Sequence, residues 1–450
     1  MDMPDRRLSR RQVLAGLAGT ALAPALTQLS WAQAALPSNP DVAIVGAGAA
    51  GMAAARTLIA AGRSVVILEA MNRIGGRAFT ESETFGVPFD WGCAWIHSQT
   101  KNPLYKPAVE GGFNPVEHSL SLSHVYYGFE ARPFTRGEVK SADAFDATIK
   151  NKAKRAAKAR DGAVSEVVRI IKPYEQVAAT YAGPMDMAVD LNALSIRDYA
   201  AQAELDPNFL VEKGLGSVVR ELGKDIPVSL ATPVKRIRYG GPGVTIETDK
   251  GDLRARACIV TVSTGALASG FIRFDPALPL PKQAAIAEVP MGLLAKIPLL
   301  TNGDRFGLKK FENVMHEMPG LQDIYYLAFP FDTNLLIGFV GGAFAWQLSA
   351  AGKDAAVDFA LQSLRRMFGE RALASVVKGD FTRWAGNPWT RGAYSAALPG
   401  KYAARAEIAR PVADRVFFAG EALAGDLAQT AGGAWLTGEK TAKDVLRVLA

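Results

Sequence analysis

Cysteine is nearly absent from this 450-residue chain: Cys93 and Cys258 are the only two. Two thiols can neither build a disulfide framework nor supply a structural zinc site. Each sits in an apolar stretch, "DWGCAW" and "RARACIVTV", which predicts two buried small hydrophobes and leaves a Cys93–Cys258 pairing open. No apolar run is long enough to span a bilayer. The best candidate, Val13 to Leu26, is short and broken by glycine and proline. Long blocks of one charge are missing as well. The densest basic run, "IKNKAKRAAKARDG" at 149–162, mixes its lysines and arginines with alanine and predicts a solvated helix face. With a formal net charge of only +7, the chain has no footprint for nucleic acid. Hydrophobic material is plentiful: 49% hydrophobic against 21% charged residues is a globular composition, with length for two or three cores.

The first 34 residues differ from the rest. Arg10 and Arg11 in "LSRRQVLAGLAG" lead into the apolar run, and Ala32-Gln33-Ala34 supplies a small-x-small cleavage signal. This resembles a twin-arginine export leader. The resemblance implies the twin-arginine export machinery as a partner, cleavage after Ala34, no stable membrane insertion, and a periplasmic or secreted mature chain. The leader holds four arginines and two aspartates, so without it the net charge falls from +7 to +5.

The most informative stretch follows: "DVAIVGAGAAGMAAARTLIAAGRSVVILEAMNRIGGR". It reads as strand, glycine turn, alanine-rich helix and second strand, the last ending at Glu69. Gly46 permits the turn, Gly48 lets backbone N–H groups approach a pyrophosphate, and Gly51 lets the helix close onto the strand. Glu69, eighteen residues beyond Gly51, stands where a carboxylate accepts hydrogen bonds from a ribose. Two flanking strands and the acid make this a dinucleotide site.

Which dinucleotide is indicated by "RIGGRAFT" (73–80), a second glycine turn followed by an arginine. This arrangement resembles the FAD-binding amine oxidase family, in which Gly75, Gly76 and Arg77 would lie along the phosphates and ring of the flavin. Other segments are similar to the same family. "FDWGCAWIHSQTKNPLY" (89–105) matches the run that passes the flavin ring in polyamine oxidases at Gly92, Trp95, Ile96, His97, Asn102 and Pro103, with Ser98 replacing a glycine. In "LATPVKRIRYGGPGVTIETDKGDLRARACIVTVSTGAL" (230–267), alternating apolar residues with turns at Gly240-Gly241 and Lys250-Gly251 predict strand, hairpin and re-entry to the nucleotide domain. The resemblance puts Val234 against the adenine. In "IAEVPMGLLAKIPLL" (286–300) it puts Lys296 beside flavin N5, joined through a water; an ammonium in so apolar a strand needs a partner or a lowered pKa. In "RVFFAGEALAGDLAQTAGGAWLTGEKTAKDVL" (415–446) it gives Glu421 the ribityl chain, and a helix beginning at Gly433-Ala434 the N1–C2 edge of the ring.

The stretch "RWAGNPWTRGAYS" (383–395) is similar to a run in spermine and polyamine oxidases and flavin-dependent histone demethylases. Tyr394 would form one wall of an aromatic cage for the substrate amine, Thr430 would occupy the opposite position, and Trp384 and Trp389 would pack the loop. Monoamine oxidases carry a flavin-linked cysteine where this chain has Ala393, so the FAD is expected to be non-covalent. Gly432 departs from the histidine common there in demethylases and spermine oxidases.

The resemblance implies an α/β fold: a Rossmann-like FAD-binding domain, discontinuous in sequence (38–93, 210–270 and 378–450), interleaved with an α+β substrate-binding domain (94–209 and 271–377). It implies an amine oxidase acting on a polyamine or related amine, with hydride transfer to flavin N5, imine hydrolysis, and O2 reduced to H2O2. The catalytic candidates are Lys296, His97 and Tyr394, and no metal is expected. Alternatives are an L-amino-acid oxidase, which often carries an arginine shortly after the GGR turn where this chain reads Ala78-Phe79-Thr80, a monoamine oxidase, and a flavin dehydrogenase or partner-binding flavoprotein with little oxidase activity.

Overall fold

The runs Val42–Val45, Val65–Leu68, Ala257–Val260 and Val416–Phe418 are apolar at nearly every position, which suits strands buried on both faces of a parallel sheet. The computed structural model, which describes residues 38–202, 205–318 and 322–450, places them in one. With Val228–Ser229 they make five parallel strands in the order 228–229, 65–68, 42–45, 257–260, 416–418. The first strand in sequence is thus central, with its successor on one side and a strand some two hundred residues later on the other. Such a reversal of strand order opens a crevice at the carboxyl ends. The leader, and the export expectation resting on it, lies outside the described residues.

Two helices cover one face of this sheet. Ala49–Ala60 follows the glycine turn, and the last helix, Ala431–Leu449, packs across it. Both approaches depend on missing side chains. A Cβ on Gly51 would lie 2.0 Å from the Gly46 carbonyl oxygen, and one on Gly438 would lie 2.1 Å from that of Ala50.

The expected hairpin is present. Val234–Arg238, Val244–Thr248 and Gly251–Ala255 form antiparallel neighbours in a four-stranded sheet, and Ala257–Val260 then re-enters the parallel sheet. A third, seven-stranded mixed sheet runs in the order 376–379, 294–301, 335–341, 322–328, 313–318, 124–127, 132–133. It aligns Lys296 with Phe339, and Phe339 with Tyr325, on adjacent strands. The pair Tyr394–Ser395 is held by Met291–Gly292, and the short strand Trp95–Ile96 by Phe209–Val211. The architecture is the α/β fold expected, with a nucleotide-type sheet and a second, mixed one.

The basic run is carried largely by the helix Arg136–Ala157, which buries Ala142, Ile149 and Ala153, packs the partly buried Val139, Phe145, Ala156 and Ala157 against the core, and exposes Lys152 and Arg155. Cys93 and Cys258 are both free thiols. Among the described residues no helix is long and apolar enough to cross a membrane, and no group of histidine, cysteine or acidic side chains is disposed to hold a metal.

Candidate active site

A cavity of about 310 Å³ opens where the parallel strands end, and its walls reach the mixed sheet. On the nucleotide side they include Gly46, Gly48, Glu69, Gly76, Arg77 and Val234. Gly46 turns with φ +104°, Gly75 with +96° and Gly76 with +58°, backbone states that side chains disfavour. Gly48 caps the helix Ala49–Ala60 with no side chain accepting its first N–H groups, and nothing lies within 4 Å of where its Cβ would stand. A helix N-terminus with unspent N–H groups beside open space is a cradle for a diphosphate. Glu69 is buried, accepting from the Ala47 N–H at 2.7 Å and the Met71 N–H at 2.8 Å. Burial pushes its carboxyl above the ordinary range, and those two bonds pull it back. The donor set and the empty cradle fit a dinucleotide. Gly51 is not part of the wall; it closes the helix on the turn.

Arg77 spans two segments. Its Nη1 donates to the Ala393 carbonyl at 2.7 Å and pairs with Glu421 Oε1 at 3.0 Å. Glu421 also accepts from Ser395, through Oγ at 2.9 Å and the backbone N–H at 3.2 Å. Ser395 Oγ in turn accepts from Arg405, which is buried and forks onto both oxygens of Asp198 at 2.7 and 2.8 Å. This charge-assisted chain fixes the strand that bears Tyr394.

Lys296 is buried rather than snorkelling to solvent. Its Nζ donates to the carbonyls of Asp90 and Gly92, both at 2.6 Å, and lies 5.6 Å from the ring centroids of Phe89 and Phe339. Desolvation pulls its pKa down to about 8, with Asp90 opposing. Two of its three protons are committed, and the residue lines the cavity.

His97 also lines the cavity, and its Nδ1 lies 2.6 Å from Asn208 Oδ1. The Asn208 amide nitrogen is spent on Asp206 at 2.5 Å, so the oxygen faces the ring and His97 donates from Nδ1. Nε2 is left with a lone pair, and burial lowers the imidazole pKa, favouring that neutral form.

Tyr394 donates its hydroxyl to the Asp186 carbonyl at 3.1 Å and presents its ring to the same cavity. Trp384 packs and lines at once: it is buried, and its indole N–H reaches the Trp91 carbonyl at 2.9 Å. Trp389 packs edge-on against Phe271 at 4.8 Å.

The last helix corrects two expectations. It begins at Ala431, because the Thr430 hydroxyl accepts the Gly433 N–H at 2.9 Å and serves as N-cap. Gly433 therefore does not offer its N–H to the cavity and does not line it, whereas Ala431 and Ala434 do. Thr430 is in the wall, but its hydroxyl is consumed by the cap and by the Leu427 carbonyl at 2.8 Å.

Of the far wall, sequence reasoning found Trp95 and missed the rest. Trp95, Phe339, Tyr325 and Tyr181 follow one another with centroids 5.7, 5.6 and 6.2 Å apart, and all four line the cavity. Asp186 stands beside them. The readable signal was a lone acid in the apolar run "GPMDMAV".

The chain matches the family model "Flavin containing amine oxidoreductase" over residues 49–446. It belongs to this family. It is 27% identical over 437 residues to polyamine oxidase 4 of Oryza sativa subsp. japonica, covering 89% of this chain and 87% of that one. It is 29% identical to polyamine oxidase 2 of Arabidopsis thaliana, covering 91% and 89%. It is 30% identical to the rice lysine-specific histone demethylase 1 homolog 1, of which it spans only 52%. Cyclohexylamine oxidase from Brevibacterium oxydans IH-35A shares the fold, with a TM-score of 0.75 at 23% identity over 92% of this chain and all of that one. The cofactor of this flavin amine oxidoreductase is FAD. Gly48, Glu69 and Gly76 would hold its dinucleotide portion, and Lys296 and the cage residues would face its ring.

Proposed function

We propose that the protein oxidises the C–N bond of a polyamine or related amine, with non-covalent FAD as hydride acceptor and O2 reduced to H2O2. The observation that carries this reading is the absence, among the described residues, of a cation in the cavity wall free to clamp a substrate carboxylate. Arg77 is bound to Glu421 and Ala393, and Lys296 is bound to two carbonyls. An amino acid would find no partner for its acid group, whereas an amine lacking one loses nothing.

FAD, when bound, supplies the two-electron acceptor; this chain supplies orientation, desolvation and proton control. The aromatic walls Tyr394, Tyr325 and Phe339 accept the amine and exclude water. His97 Nε2 is an acceptor that holds the amine or a water by its N–H or O–H. Lys296, with a pKa near 8, gives or takes a proton at working pH, either directly or through a water. Ala393, where a flavin link would need a cysteine, supports a non-covalent cofactor. We further infer from Arg10 and Arg11 that the chain leaves the cytoplasm folded, through the twin-arginine machinery.

The test is an anaerobic titration of the oxidised holoenzyme with spermidine, 1,4-diaminobutane, a monoamine and an L-amino acid, following the flavin band near roughly 450 nm. Bleaching by the polyamines and peroxide on readmitting air are expected. Bleaching by the amino acid alone overturns the reading, and reduction without peroxide replaces oxidase with dehydrogenase.

A further inference from the structure

Three carboxylates line the cavity: Glu69, Glu421 and Asp186. Glu69 receives two backbone N–H groups, and Glu421 receives Arg77 and Ser395. Among the described residues, no hydrogen-bond donor reaches the carboxylate of Asp186; the residue's bonds are main-chain ones, its N–H donating to the Tyr181 carbonyl at 2.9 Å and its carbonyl accepting from Tyr394.

Its surroundings are unusual for an idle acid. Asp186 closes the five-residue π-turn Tyr181–Met185, a local unwinding of the kind that re-aims side chains at functional sites. The residue is accessible, yet burial raises its pKa to about 6. An accessible side chain that is nonetheless desolvated faces an internal cavity rather than bulk water. Above that pH it is an anion in an apolar enclosure. The charge that offsets its desolvation is that of Lys150, on the helix Arg136–Ala157, and an anion so placed gains from a cation delivered into the cavity.

We propose that Asp186 recognises the second, non-reacting ammonium of an α,ω-diamine or polyamine, while the reacting amine sits between Tyr394 and the flavin. This rests on the amine-oxidase reading above and narrows it. The Tyr394 hydroxyl bond to the Asp186 carbonyl joins the cage wall to the distal anchor, so the two are positioned as one unit. A monoamine filling the same corridor would leave the carboxylate desolvated and unpaired, and that is the source of discrimination.

The experiment compares n-butylamine with 1,4-diaminobutane, equal in carbon chain, on the FAD-loaded wild type, Asp186→Asn and Asp186→Glu. Two quantities are read: kcat/KM in air, and the dissociation constant from anaerobic titration. Wild type is expected to favour the diamine, and Asp186→Asn to cut the diamine-to-monoamine ratio roughly 10- to 100-fold, mainly through KM and the dissociation constant. Asp186→Glu, which keeps the charge, should retain most of the preference; this guards against a fold defect in the asparagine variant. A wild type without diamine preference, or an asparagine variant that keeps it, overturns the role of Asp186 and leaves amine oxidation standing. If neither amine bleaches the wild-type flavin, the amine reading itself fails, and this one with it.

Discussion

Arg77 and Glu421, separated by 344 positions in sequence, meet in an ion pair at 3.0 Å beneath the strand that carries Tyr394. The guanidinium also holds Ala393, so one side chain ties the second glycine turn to both the C-terminal strand and the cage.

Replacing Arg77 with alanine strands Glu421, which is buried, without its cation. Arg77→Ala should lose about 2–3 kcal/mol of stability, part of the usual cost of breaking a largely buried pair. It should also retain less flavin after dialysis. The ratio of flavin to protein absorbance measures the second effect; full retention would show that the pair does not shape the cofactor site.

Lys296 titrates low in the fold, near 8 against an ordinary 10.5. A lowered lysine opposes folding while the pH is below its folded value. That opposition fades as the pH rises from about 8 to about 10.5. The Tm of Lys296→Met minus that of wild type should therefore fall across this range. Turnover should fall roughly 10²-fold, and the limb of the pH–rate profile near 8 should vanish.

Glu317 and Asp323 face each other across neighbouring strands, and Glu317 Oε2 and Asp323 Oδ2 are buried without a hydrogen-bond partner among the described residues. Burial and mutual repulsion raise Glu317, and burial with the Asp190 charge raises Asp323 to about 7. Raised acids stabilise a fold in their protonated form, fully so below their unfolded pKa of about 4 and no longer above the folded value. Melting temperature should fall as pH rises from about 4 to 7. Glu317→Gln should flatten that slope and raise Tm at pH 8 by about 1–3 °C.

Burial pushes the Cys93 thiol up to about 12 and moves Cys258 in the same direction. Iodoacetamide at pH 8 should label neither cysteine in the native holoenzyme and both after denaturation. Rapid native labelling of Cys93 would mean that the flavin side of the cavity opens to solvent.

What could be read from the sequence was local. Gly46, Gly48, Gly51 and Glu69 act within one strand–helix–strand unit, so spacing alone placed them. Lys296, His97 and Tyr394 were legible only through resemblance, because each lies in a different segment and nothing in its own neighbourhood shows that the three share a cavity. Tyr181, Tyr325, Phe339 and Asp186 were not legible. Alternation along a strand shows that two faces differ, but not which face closes over a ligand, and the π-turn that carries Asp186 to the wall has no signature in composition. The start of the last helix was misplaced by two residues because glycine pairs draw attention as helix openers, whereas a threonine hydroxyl three residues upstream performs the capping.

The strand Val416–Phe418 completes the edge of the parallel sheet, and the final helix locks over Ala50 through Gly438. Both come from the last forty residues of the chain. A nascent polypeptide that has already exposed its glycine turn thus has only part of the cavity wall until residues 416–449 have been made. A chain cut before Val416, with Lys296 intact, is therefore expected to retain less flavin than the full-length protein.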